Sequence, residues 1–243
     1  MTDDPATTPV PGAAGEPPQP RQRWRLVVGR SPDAPTLGQR EQADAWEAAL
    51  REAGLPLARS AGTTGRARVS FGAPLPAAMP ADGELIDIVL TERWPAWRVR
   101  DALAGRLPDG WRMVDLHDVW LAGPPLPGRV TAADYRIDLI ASTAVEPEGV
   151  VAACERLVAA DRLPRQRVKG GRLVDYDLRP LLVDVRVISS GPPIRILART
   201  RFHPELGTGR PEEVVAALAE VTGTPLEATA IARERLILAD DQG

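Results

Sequence analysis

The chain has 243 residues, 44% hydrophobic and 26% charged, with a formal net charge of −3. That is enough apolar content for a sizeable core and too little net charge for binding polyanions by bulk attraction. Its one cysteine, Cys154, excludes an internal disulfide and a cysteine-ligated zinc or iron–sulfur site, and neither a membrane-length apolar run nor a signal peptide occurs, so a cytoplasmic protein without membrane attachment is expected.

Residues 1–21 are rich in Pro, Ala, Gly and Thr, with too few large apolar side chains to offset ordering, and read as a disordered tail. A first strand over 24–29 follows. Thr36 with Gln39 predicts a capping box, opening a helix with the apolar stripe Ala43, Trp46, Leu50 and Ala53 that stops at Gly54. Strands are expected at 69–71 and 85–90, the second with Ile86, Ile88 and Leu90 on one face. Pro95 opens a helix carrying Val99, Leu103 and Leu107, and a strand over 111–121 closes a first half, residues 22–122.

Residues 123–131, with the run Gly123-Pro124-Pro125-Leu126-Pro127-Gly128, break the pattern and read as a linker. The second half, residues 132–239, repeats the order. Tyr135, Ile137 and Leu139 alternate with Asp134, Arg136 and Asp138, and Pro147 starts a helix with Val150, Cys154, Leu157 and Val158 inward. Strands at 181–188 and 194–202, a helix from Pro211 to a stop at Gly223, and a strand over 229–238 complete it; residues 240–243 are a polar tail. Two β-α-β-β-α-β passes predict an α+β fold of two tandem ferredoxin-like halves, each an antiparallel sheet with helices on one face.

Between the third helix and the next strand lies a basic run containing Lys169, the only lysine among 30 basic residues. Arg165, Arg167 and Lys169 alternate, Gly170-Gly171 suits a two-residue turn, and Arg172 and Arg179 follow, predicting a basic β-hairpin. These five residues are the primary candidates for contacting RNA or another anion. The polar parity of the second-half strands would bring Arg136, Arg186, Arg195, Arg199, Arg201, Arg233 and Arg235 to the open face, with Arg186, Arg195 and Arg199 as secondary candidates. The competing account is that these arginines are solvated sheet positions paired with Asp134, Asp138 and Asp184. The second half has few rings beyond Tyr135, Tyr176 and Phe202, which argues against stacking of bases. His117 and His203 have no visible partner nucleophile or ligands, and neither catalytic residues nor a metal or cofactor is expected.

Several stretches resemble a radical-SAM-associated family of unknown function: Trp24-Arg25-Leu26-Val27, Leu50-Arg51-Glu52-Ala53-Gly54-Leu55-Pro56-Leu57, Arg68-Val69-Ser70-Phe71 with Pro74-Leu75, residues 175–180, and Gly209-Arg210-Pro211-Glu212-Glu213. The chain looks like a stand-alone member. It lacks the family's histidine-rich stretch before the first helix, reading Thr36-Leu37-Gly38-Gln39 there, and has no CxxxCxxC to bind a radical-SAM cluster. The resemblance implies an accessory or substrate-binding protein working with a separate radical-SAM or RNA-modifying enzyme, with RNA as a partner. The alternatives are an enzyme or binder for a small anionic metabolite between the halves, or a protein–protein scaffold.

Overall fold

The computed structural model describes residues 18–60, 65–141 and 146–242, so most of the predicted tail lies outside the described residues. Among the described residues, alternating apolar and polar side chains fold into eleven strands, and four amphipathic helices bury their apolar stripes on one side of them. In the first half these are β1 (Gln22–Arg30), α1 (Gln39–Glu52), β2 (Val69–Phe71), β3 (Ala81–Leu90), α2 (Ala96–Leu103) and β4 (Trp111–Val119). The second half comprises β5 (Val130–Ala141), α3 (Pro147–Ala159), β6 (Pro164–Lys169), β7 (Arg172–Asp177), β8 (Leu182–Ser189), β9 (Ile194–His203), β10 (Gly207–Thr208), α4 (Pro211–Thr222) and β11 (Leu226–Leu238).

The fold is α+β with a mostly antiparallel sheet, as expected from the sequence. Nine strands form one sheet in the order β10-β9-β5-β11-β3-β1-β4, with β2 added on β3 and β8 on β9, while β6 and β7 make a separate two-stranded sheet. The β-α-β-β-α-β order over β1–β4 arranges as β4-β1-β3-β2, and the corresponding strands of the second half as β11-β5-β9-β8. The two sets are continuous, joined by a short parallel pairing of β11 with β3 at Arg233 and Ala81.

Core parity follows the sequence closely. Trp24, Leu26 and Val28 of β1 and Ile86, Ile88 and Leu90 of β3 pack on Trp46 and Leu50 of α1 and Val99 and Leu103 of α2. Tyr135, Ile137 and Leu139 of β5 and Ile196 and Ala198 of β9 pack on Val150, Cys154 and Leu157 of α3 and Val214 and Leu218 of α4. Trp111 packs against both clusters and meets Trp46 edge-on at 5.4 Å. Burial pushes the Cys154 thiol up to about 11, with Asp184 and Glu155 adding to it, so Cys154 is a core residue as its position on the apolar stripe predicts.

Three local expectations are corrected. The capping box at Thr36 does not form: the first helix starts at Gln39, and Gly38 N–H donates to the Glu41 carboxylate at 2.9 Å, so the reciprocal side-chain cap is missing. The second helix stops at Leu103, leaving Leu107 beyond its end. Arg233 does not share the open face with Arg235. A bulge at Glu234 shifts the β11 register, so Arg233 stands opposite Tyr135 on the helix-covered side and Arg235 opposite Asp134 on the other.

The displaced Arg233 becomes the seam between the halves. Its Nε and Nη2 donate to Glu84 of β3 at 2.6 and 2.5 Å, its Nη1 to Pro74 O at 3.0 Å, and its backbone N–H to Pro80 O at 3.0 Å. Arg233 is 1% exposed and Glu84 5%. Gly83 permits the approach, since a Cβ there would lie 2.7 Å from the Glu234 carbonyl oxygen. Breaking a buried ion pair by removing one partner strands the other charge, so Glu84→Gln or Arg233→Met should each lower unfolding free energy by about 3–5 kcal/mol in urea titrations. The double substitution should cost less than the sum of the two.

Candidate anion-binding surface

The predicted hairpin exists, with Gly170 and Gly171 at φ 58° and 76°, the two left-handed positions of a tight hairpin turn. Two of its arginines, Arg165 and Arg167, are engaged within the chain. Arg165 is largely buried and pairs with Glu220 of α4, while Arg167 lies 4.7 Å from the Tyr176 ring centre and donates to Leu206 O at 3.4 Å. The face carrying Arg165 and Arg167 therefore docks the hairpin onto α4 and the β9–β10 turn. Tyr176, opposite Arg165 in the register, is part of the same clasp: burial, with the nearby Glu213 carboxylate, pushes its phenol up to about 12, so it stays protonated.

Arg179 is also turned inward. It donates to Val158 O at 2.7 Å and Ala160 O at 2.9 Å, carbonyls at the end of α3 that a helix leaves unpaired, and to Leu182 O of β8 at 2.6 Å. Arg172 is exposed and has no ion pair among the described residues, and the Lys169 side chain lies outside the described set. The other hairpin face presents Val168 and Leu173, 69% and 64% exposed and directly opposite one another.

On the open face, β9, β5 and β11 set arginines and carboxylates side by side. Arg195 grips Asp138 with two hydrogen bonds, at 2.5 and 2.9 Å, and Arg136 pairs with Asp82 at 3.1 Å and Glu234 at 2.8 Å. On the neighbouring β8, Arg186 pairs with Asp184 at 2.6 Å. Arg199 grips Asp134 at 2.6 and 2.9 Å, and Arg235 reaches the same carboxylate at 2.8 Å. Arg201 is exposed with no carboxylate partner among the described residues. The first half has a similar motif in closed form: Asp87 accepts from Arg23 at 2.8 Å and Arg25 at 2.7 Å, and Arg23 is held further by the carbonyls of Gly123 and Pro124.

Two hollows open on this face. One, of about 600 Å³ between the halves, is lined by Arg30, Asp82, Arg112, Arg136, Asp138 and Arg195: Arg112 and Arg136 share Asp82, Arg136 also reaches Glu234, Arg195 holds Asp138, and Arg30 is held by backbone carbonyls, among them those of Pro35 and Met79. The other, of about 560 Å³, lies over Ala132 and Ile237 with Arg199, Arg201, Arg235 and His203 around it. His203 Nδ1 accepts from the backbone N–H groups of Glu205 and Leu206 at 3.2 and 3.1 Å, leaving Nε2 to carry the proton. Among the described residues no group of three His, Cys, Asp or Glu side chains is placed to hold a metal, and no helix is long and apolar enough to cross a membrane.

The first half carries two exposed rings that the chain's low aromatic content does not announce, Trp97 and Trp120, 64% and 75% exposed. Trp97 was detectable as a bulky ring off the Val99–Leu103 stripe of its helix.

Fold and surface define an α+β protein with one helix-covered sheet face and one arginine-rich open face. The chain belongs to the family of uncharacterized proteins conserved in bacteria (DUF2344), which matches residues 23–214. No curated protein matches the sequence. Among solved structures, the chain is similar to a Cbf5-Nop10-Gar1 complex (TM-score 0.47, 9% identity, 87% of this chain and 49% of that one). Similar too are an H/ACA RNP bound to a substrate RNA containing 2′-deoxyuridine (0.43, 10%, 87% and 47%) and the archaeal box H/ACA sRNP Nop10-Cbf5 complex (0.42, 10%, 86% and 47%). The chain thus spans about half the length of these structures, and at such TM-scores the likeness bears on neither ligand nor activity.

Burial pushes the Asp134 carboxyl up, but hydrogen bonds from Arg199 and Arg235 outweigh it and hold the group below the usual carboxylate range. A depressed folded value stabilises the fold above the unfolded value of about 3.9, and the contribution disappears as pH falls through the folded value. The stability difference between the natural chain and Asp134→Asn, read by urea titration, should be about 1–3 kcal/mol at neutral pH and shrink as pH falls below the unfolded value of about 3.9.

Proposed function

We propose that the chain is a non-catalytic accessory or substrate-binding protein that acts beside a separate radical-SAM or RNA-modifying enzyme and contacts RNA, or another anionic partner, through the basic surface of its second half. The observation that carries this reading is an imbalance of charge on an uncovered sheet face. Arg136, Arg186 and Arg195 each have a carboxylate, whereas Arg199 and Arg235 share one, Asp134, and Arg201 has none among the described residues. This surface runs to the β9–β10 turn, where Arg167 fastens the hairpin and its free Arg172. The enzyme partner rests on the family resemblance, and guanidinium groups without carboxylates suit phosphate oxygens.

The matching strand orders β4-β1-β3-β2 and β11-β5-β9-β8 support reading the chain as tandem ferredoxin-like units, residues 22–122 and 132–239, with 123–131 between them and the hairpin inserted in the second. A buried cysteine with a raised thiol is compatible with a reducing cytoplasm, the compartment we assign. A small anionic metabolite in the hollow between the halves is the weaker alternative, because Arg112, Arg136 and Arg195 are already paired with carboxylates and the buried Arg30 spends its N–H groups on backbone carbonyls.

Binding of cellular RNA, measured by filter retention, should weaken as salt rises. Arg172→Ala should weaken it uniformly across sequences and reduce the salt slope by about one. Retention that ignores salt, or no retention at low salt, contradicts the RNA reading.

A further inference from the structure

Antiparallel pairing sets the open-face side chains of β9, β5 and β11 in rows. One row is Arg195 and Asp138, joined by two hydrogen bonds. In the next, Arg136 is matched by Glu234 from the bulge of β11. The third reads Arg199, Asp134, Arg235, two guanidiniums on one carboxylate. The fourth reads Arg201, Ala132, Ile237. Where the ladder would next place a carboxylate opposite Arg201, the chain has a methyl group.

The last two rows therefore hold three guanidiniums against one carboxylate, a local excess of two positive charges, and the short Ala132 leaves the hollow open above it. On β8, Asp184 stands opposite Arg199 and its charge acts on that guanidinium, but it also pairs with Arg186 at 2.6 Å, so with β8 included four guanidiniums face two carboxylates and the excess of two remains. Donors remain available. Arg199 uses Nε and Nη2 on Asp134 and keeps Nη1, Arg235 uses only Nε, and Arg201 uses none among the described residues. Asp134 holds the first two guanidiniums in place, so little ordering remains for a ligand to impose. The floor of Ala132, Ile237 and Val183 is apolar.

We infer that this hollow is a phosphate-ester site. The phosphoryl oxygens take the free N–H groups of Arg199, Arg201 and Arg235, and the organic part lies over the apolar floor. A volume of about 560 Å³ accommodates a mononucleotide-sized group. The inference deepens the proposal of an anionic partner and rests on it. It gives that partner a chemical handle and a primary contact residue, Arg201, distinct from the hairpin.

The test is calorimetric titration of the full chain at fixed ionic strength with three probes: a nucleoside 5′-monophosphate, the same nucleoside without phosphate, and a short single-stranded RNA. Arg201→Glu places a carboxylate where the ladder lacks one, at an exposed position that leaves the core intact, and Arg172→Ala serves as the comparison. The expected result is that the monophosphate binds and the nucleoside does not, with affinity reduced about tenfold or more by Arg201→Glu and unchanged by Arg172→Ala. If RNA alone binds with this dependence on Arg201, the phosphate source is a nucleic-acid backbone and the site stands. Equal affinities of the natural chain and Arg201→Glu for every probe, or no binding of any probe, overturn the site. RNA binding that is lost in Arg172→Ala and unmoved by Arg201→Glu removes the hollow and keeps the RNA reading. Monophosphate binding that depends on Arg201 without any RNA binding does the reverse.

Discussion

The buried pairing of Arg233 with Glu84 fixes how the two halves share one sheet. An ion pair taken out of water is unfavourable unless hydrogen bonds complete it, and here the carbonyls of Pro74 and Ala73 supply the remaining partners. Three sequence features make the arrangement possible: a bulge that turns Arg233 to the helix side, a glycine at position 83 where β11 comes close, and the proline-bounded segment whose carbonyls face inward. With few backbone pairs between β11 and β3, this side-chain cluster joins two sets of strands that would otherwise abut. It places all four helices on one side of a continuous sheet and leaves the other side for charge.

On that other side, position along the strands decides what each arginine does. Near the seam Arg112, Arg136 and Arg195 pair with carboxylates and Arg30 with backbone carbonyls, and these arginines tie segments together. The Asp87 cluster of the first half is closed over by Gly123 and Pro124. At the far end of β9 the matching fails, and positive charge is presented to solvent beside a shallow apolar floor. The same residue type is thus structural at one end of a strand and available to a ligand at the other.

Much of this was legible locally. Alternation in β5 and β9 assigned the inner and outer faces, Gly170-Gly171 marked a turn with two left-handed residues, and the proline positions marked the starts of α3 and α4. What stayed hidden depends on partners distant in sequence. Parity along β11 puts Arg233 with Arg235, and only cross-strand pairing reveals the bulge that separates them. The hairpin arginines looked like a contact set because basic alternation has the same pattern whether a strand faces solvent or, as with Arg165, a glutamate 55 residues away. Arg179 is likewise indistinguishable in sequence from a free cation, although it caps α3. Arg201 stood among seven open-face arginines, and its distinction is a missing acid opposite, set by register with Ala132.

Anomalous diffraction from crystals soaked in selenate, a heavy mimic of phosphate, tests the central claim most directly. The account predicts the strongest peak within hydrogen-bond reach of Arg201, Arg199 and Arg235, above Ala132. A strongest peak at the hairpin or between the halves, or an empty hollow at saturating selenate, would contradict it.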